Sequence, residues 1–87
     1  GLPRIFVDKT DLEGDGKRLA DLFLELELTK SKKEARRLIA GGGAKLGEEK
    51  ILDEMAALTL EDFENGEKTE IVLRAGKKRA GVVEIKL

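Results

Sequence analysis

Ser31-Lys32-Lys33-Glu34-Ala35-Arg36-Arg37-Leu38-Ile39-Ala40-Gly41-Gly42-Gly43 holds a start, a body and a stop for one helix. Ser31 stands three residues before Glu34, the spacing of a capping box, in which a hydroxyl accepts from an early helical amide and the glutamate reaches back. Ala35, Leu38 and Ile39 fall on one side, and Lys32, Lys33, Arg36 and Arg37 cover an arc centred away from it. One face packs and the other presents cations. The three glycines end the helix, because glycine takes the left-handed terminating conformation without a side-chain clash.

Upstream, Leu19, Leu22, Phe23 and Leu26 recur at i, i+3, i+4, i+7, which predicts an amphipathic helix near Lys17 to Glu27. Arg4 to Val7 reads as a short extended segment after Pro3, and Asp8 to Gly16 as a polar, glycine-bearing loop. Downstream, Ala44 to Leu46 and Glu49 to Ile51 read as short strands joined near Gly47. Ile71, Leu73, Val83, Ile85 and Leu87 alternate with period two, predicting a terminal hairpin over about 69–87 with its loop at Ala75-Gly76-Lys77-Lys78-Arg79. The order implies an α+β fold: two packed helices followed by a small, mostly antiparallel sheet of about four to five short strands. Eighty-seven residues suit one domain, 1–87, since so short a chain cannot bury two separate cores.

The composition removes several functions. With no cysteine there are no disulfides and no thiolate metal sites, which fits a reducing, cytoplasmic setting. With no histidine and a single serine, Ser31, the usual general base and the hydrolase triads are missing. Catalysis by this chain is not expected, and neither is a cofactor. The apolar runs are a few residues long, far short of a membrane span, so no membrane partner is expected. A start at Gly1-Leu2-Pro3, without methionine, leads to the expectation of further sequence upstream.

The net charge is only −1, yet the charge is segregated. Nine of the seventeen lysines and arginines sit in two stretches: Lys30, Lys32, Lys33, Arg36 and Arg37, then Arg74, Lys77, Lys78 and Arg79. From Glu48 to Glu70 there are nine acids against only Lys50 and Lys68. If the hairpin tip lies beside the second helix, the two basic stretches form one groove that accepts phosphates. By spacing alone a solvated helix face is the commoner explanation, but cations at a helix start oppose its dipole, with only Glu34 to offset them. A hairpin tip is also where lysine protects an edge from aggregation. Asp11, Glu13, Asp15 and Gly16 imitate a calcium loop, but the twelfth position is Leu22 instead of glutamate, so no metal is expected. Glu61, Asp62, Glu64, Glu67 and Glu70 fall in a stretch of loop composition and read as a solvated face. The aromatics are Phe6, Phe23 and Phe63 alone, so recognition of nucleic acid should use shape and backbone and not base stacking.

Leu28, Ser31, Glu34-Ala35-Arg36-Arg37-Leu38-Ile39, Gly42-Gly43, Leu46 and Glu49-Lys50-Ile51 together resemble the RNA-binding domain named after the fourth small-subunit ribosomal protein, over about residues 18–52. Leu2-Pro3-Arg4-Ile5, Thr59-Leu60, Val72-Leu73-Arg74 and Gly76-Lys77-Lys78-Arg79 extend the likeness to the carboxyl-terminal domain family of bacterial tyrosyl-tRNA synthetases. That resemblance implies a non-catalytic domain gripping tRNA for tyrosine between the anticodon stem and the long variable arm. It also implies a catalytic part elsewhere that uses ATP, and a homodimeric enzyme with a monomeric isolated domain. The candidate RNA contacts are Lys30, Ser31, Lys32, Lys33, Arg36, Arg37, Lys45, Lys77, Lys78 and Arg79. Two departures from the family pattern stand out: Leu46-Gly47-Glu48 in place of an Asn-Gly hairpin, and Ala80-Gly81 where an aromatic and a histidine are usual. Two other functions compete, an RNA-binding domain of a ribosome-associated or pseudouridine-forming protein, and a protein-interaction module working through the acidic stretch.

Overall fold

In the computed structural model, which describes residues 1–86, the helix opened by Ser31 runs over Lys32–Ala40. Leu87, expected to extend the alternation of the last strand, lies outside the described residues. Ser31 Oγ accepts from the Glu34 amide at 3.1 Å. Glu34 reaches back one residue further than the motif implies, to the Lys30 amide at 3.3 Å. At the far end, Gly42 N–H donates to Ile39 O and Gly43 N–H to Leu38 O, with Gly42 at φ +83°. This is a Schellman closure, which consumes two carbonyls that would otherwise be left bare. A Cβ at Gly43 would lie 2.5 Å from Leu38 Cδ1, so the Leu38 side chain occupies the space a larger residue there would need.

The elements in order are β1 (Arg4–Asp8), a 3-10 turn (Lys9–Leu12), β2 (Lys17–Arg18), α1 (Leu19–Glu25), α2 (Lys32–Ala40), β3 (Ala44–Leu46) and β4 (Glu49–Ile51). Then come β5 (Ala57–Leu58), a second 3-10 segment (Leu60–Gly66), β6 (Glu70–Ala75) and β7 (Arg79–Lys86). One mixed sheet has the order β1-β7-β6-β3-β4, and β2 pairs with β5 separately. Among the described residues only the β1–β7 pair is parallel, so the first and last long strands lie side by side with the intervening chain as their crossover. This is the α+β architecture with a mostly antiparallel sheet that the element order implies.

The first helix is shorter than its periodicity suggests, Leu19–Glu25 instead of Lys17 to Glu27. Lys17 and Arg18 are drawn off into the ladder with Leu58 and Ala57, and Ala56 O accepts the Leu19 amide at 3.0 Å. At its end Glu27 N–H donates to Leu24 O and Leu28 N–H to Phe23 O, the same closure as in α2. Here, however, a glutamate at φ +61° holds the left-handed position. That conformation costs an L-residue roughly 1–2 kcal/mol.

Two segments read as polar loops each contribute an anchor to the core. In the first, Asp8 N–H donates to Asp11 Oδ2 at 3.1 Å, so the calcium-like acid caps a turn, and Leu12 is 1% exposed. In the second, Thr59 N–H donates to Asp62 Oδ2 at 2.8 Å, and Phe63 is fully buried. Phe23 and Phe63 each contribute up to about 3 kcal/mol by leaving water. They join Leu22, Ala35, Ile39, Leu73, Val83 and Ile85 in one cluster between the helices and one face of the sheet.

The two departures from the family pattern also have structural readings. In the β3–β4 turn φ is positive at Gly47 and not at Glu48, the φ signature of a type II′ turn, whereas Asn-Gly suits type I′. At Gly81 a Cβ would meet Leu26 Cδ2 at 2.8 Å, so Leu26 fills the space a larger residue would need. Among the described residues no helix is long and apolar enough to cross a membrane.

Candidate nucleic-acid interface

Strand alternation sorts the sheet into an inner and an outer face. Leu46 opposes Leu73 and Ala44 opposes Ala75, all buried against the helices. The residues between them take the other face, so Lys45 stands opposite both Lys50 of β4 and Arg74 of β6. Three exposed cations thus form one cross-strand row. Like charges directly opposite each other destabilise a sheet by a few tenths of a kcal/mol per pair or more. Among the described residues none of the three makes an ion pair.

The row opens on a hollow of about 540 Å³ lined by Lys45, Lys50, Arg74, Lys77 and the glycines Gly42, Gly43 and Gly76. Its rim is built by the hairpin tip meeting the exit of α2, where Gly76 N–H donates to Gly43 O at 2.6 Å. Among the described residues no carboxylate lines it. Lys50 leans toward the α2 exit, its Nζ 4.0 Å from where a Gly42 Cβ would sit, so the negative end of that helix offsets part of the mutual repulsion.

On α2, Lys33 and Arg37 form one exposed ridge, with no ion pair among the described residues. Lys32 and Arg36 form the neighbouring ridge, nearer α1, where Lys32 Nζ pairs with Asp21 at 2.9 Å. Arg36 Nε donates to Lys32 O at 3.5 Å, and the two border a cleft shared with Arg18, Glu54 and Met55. Ser31 is occupied as the cap and Lys30 is exposed just before it. Arg79 donates to Leu28 O at 2.6 Å, so part of its guanidinium is committed to holding the tip against the linker between the helices. Lys78 lies beside it in a shallow cleft with Leu2, Pro3 and Glu27.

The hairpin tip therefore touches the chain at both ends of α2, at Leu28 before it and Gly43 after it. These two hydrogen bonds tie the tip to the segments just before and just after α2. The cations still divide between two layers. Those of α2 point away from the sheet, those of the β3–β4–β6 row occupy its outer face, and the tip joins them at the rim.

Lys45 and Lys77 are brought together, while Lys50 and Arg74 join them although the sequence reading places neither among the RNA contacts. Lys50 was discoverable, because a turn at Gly47-Glu48 places it opposite Lys45. The partner of Arg74 is set by β3–β6 pairing, which no local signal announces.

The opposite end of the same outer face is charge-balanced. Arg4 donates to both Glu70 and Glu84, which oppose each other across β6 and β7. The hydrogen bond to Glu70, then that to Glu84, pushes the Arg4 guanidinium above its ordinary value.

Fold and surface together define a small α+β module with a cationic rim suited to a polyanion. A family model described as the tyrosine–tRNA ligase SYY-like C-terminal domain matches residues 5–83. The chain belongs to this family. It is 40% identical over 77 residues to the tyrosine–tRNA ligase of Clostridium tetani, covering 88% of this chain and 17% of that protein. It is 36% identical over 84 residues to the same enzyme of Clostridium botulinum, covering 97% and 19%, and 45% identical over 65 residues to that of Treponema denticola, covering 75% and 16%. The chain thus spans less than a fifth of the length of these relatives.

Proposed function

We propose that this chain is the tRNA-binding module of a tyrosine–tRNA ligase, gripping the backbone of tRNA for tyrosine between the anticodon stem and the long variable arm. The observation that carries the reading is the cationic rim: the tip residues 76–79 hydrogen-bonded at both ends of α2, with Lys33, Arg37, Lys45 and Lys77 free of ion pairs among the described residues. Spaced cations without aromatic neighbours suit phosphates along a folded RNA better than splayed bases. Lys30, Lys32, Lys33, Arg36 and Arg37 serve as the helix contacts and Lys45, Lys77 and Lys78 as the rim contacts. Ser31 and Arg79 position them, through the helix cap and the Leu28 carbonyl.

In this reading the module holds no catalytic centre and no cofactor, and ATP is used by the catalytic part of the ligase. The ligase works in the cytoplasm as a homodimer, and the isolated module is monomeric. Replacing Arg36 and Arg37 together by alanine tests the reading. Affinity for a tRNA with a long variable arm is expected to fall, and the slope of log affinity against log salt to flatten by about one for each phosphate left without its cation. Unchanged affinity and slope would transfer the function to the acidic surface from Glu48 to Glu70.

A further inference from the structure

We propose that Asn65, at the end of the second 3-10 segment, is a site of spontaneous deamidation, and that the left-handed turn Glu64-Asn65-Gly66 is the gate that sets its rate. The inference is independent of the tRNA-binding reading, since none of these residues lines the cationic hollow or belongs to α2.

Asn65 carries the one side-chain amide of the chain, which has no other asparagine and no glutamine. It is exposed, and the residue after it is glycine, so no Cβ shields the following amide nitrogen. The reaction consumes only water. The Gly66 nitrogen gives up its proton and attacks Asn65 Cγ; the new N–Cγ bond forms, the bond from Cγ to the amide nitrogen breaks, and ammonia leaves with a proton. Water then opens the resulting cyclic imide at one of its two carbonyls. Opening at Cγ leaves an ordinary aspartate, while opening at the main-chain carbonyl leaves a β-linked aspartate whose backbone is one carbon longer. Lys9 Nζ lies 3.4 Å from where a Gly66 Cβ would sit, and a positive charge so close stabilises the nitrogen anion that makes the attack.

The backbone decides when that attack is possible. Glu64, Asn65 and Gly66 hold φ of +53°, +56° and +97°, an arrangement that disfavours the glutamate most. The turn is held by Phe63, fully buried just before it, whose carbonyl accepts from the Lys68 amide at 2.9 Å. Beyond that it has the Lys68 to Glu64 ion pair, which is exposed at both ends and holds little. In the closed turn ψ at Asn65 is +34°. Because Cβ is offset from the backbone nitrogen by a third of a turn about the Cα–C bond, this angle sets the Gly66 nitrogen nearly opposite Cβ, out of reach of Cγ. Attack therefore requires rotation about that bond, which undoes the closure onto Phe63. Exposed turns with few apolar contacts open locally without global unfolding. An aspartate product keeps a conformation that it shares with asparagine and joins the acids Glu61, Glu64 and Glu67. The β-linked product cannot hold the same dihedrals, so it releases the Lys68 amide from Phe63.

Intact-mass measurement of the chain incubated at mildly alkaline pH tests this, with a parallel sample in concentrated urea at the same pH. The folded chain should show a single amide-to-acid mass step, at least about tenfold slower than in urea, because only the opened turn reacts. Fragmentation should place β-linked aspartate at position 65, and Asn65→Ser should show no step. Glu64→Gly, which relieves the left-handed strain and so stabilises the closed turn, should slow the folded chain about threefold further and leave the rate in urea little changed. A folded chain with no mass step after the urea sample has converted fully would overturn the site. Equal rates in the two samples, or a Glu64→Gly variant that reacts as fast as the wild type when folded, would overturn the gate.

Discussion

Two ends of one sheet face treat charge in opposite ways. At one end Arg4 lies between Glu70 and Glu84, so the acids that oppose each other across β6 and β7 share a cation. At the other end Lys45 stands between Lys50 and Arg74 with no acid among the three, in a chain that has eighteen acids. Both ends lie on the same outer face of the sheet, so side-chain alternation does not account for the difference. A fold selected for stability alone would balance both ends. The unbalanced end is the one that meets the α2 exit and the hairpin tip.

Placing an acid in the cation row should break the comparison most severely. A Lys45→Glu change would put a carboxylate between Lys50 and Arg74, converting two repulsive cross-strand pairs into attractive ones. Affinity for a long-armed tRNA should fall roughly a hundredfold at low salt, read by fluorescence anisotropy, because an attraction to phosphate is replaced by a repulsion. Stability should rise by a few tenths of a kcal/mol or more, read by urea denaturation. A rise in binding or a fall in stability would remove the contrast between the two ends.

The balanced end supplies the complementary test. Arg4→Gln leaves Glu70 and Glu84 facing each other, and the melting temperature is expected to drop by less than about 4 °C, because all three side chains are partly exposed to water and salt. The tRNA affinity should stay where it is. The smallest effect concerns Lys32, whose pairing with Asp21 divides it between structure and ligand. Asp21→Asn should improve tRNA affinity about twofold at low salt, an effect that about 0.3 M salt should abolish.

Much of the architecture was legible from local pattern. The Ser31 start, the glycine stop and the alternation of β6 and β7 depend on interactions within a few residues, and those are written along the chain. The ends of α1 were less legible: Lys17 and Arg18 suit a helix, but the ladder with Ala57 and Leu58, some forty residues away, claims them. Leu12 and Phe63 were hidden because each is the lone deep anchor of a polar turn, and a single apolar residue has no period to detect. The candidate cations were legible as two basic stretches, but their division into two layers was not.

By itself, the sequence determined the helix bearing cations on its exposed side, the hairpin with a basic tip, and the absence of histidine and cysteine chemistry. These are properties of neighbours and of inventory, fixed before the chain folds. Only the tertiary structure decided that Lys50 and Arg74 would flank Lys45, that Arg79 would tie the tip to Leu28, and that β1 would close against β7. Each of those depends on long-range strand pairing, in which register is set by burying Leu46, Leu73 and Val83 together. The positions of the charges on the opposite face then follow from that choice.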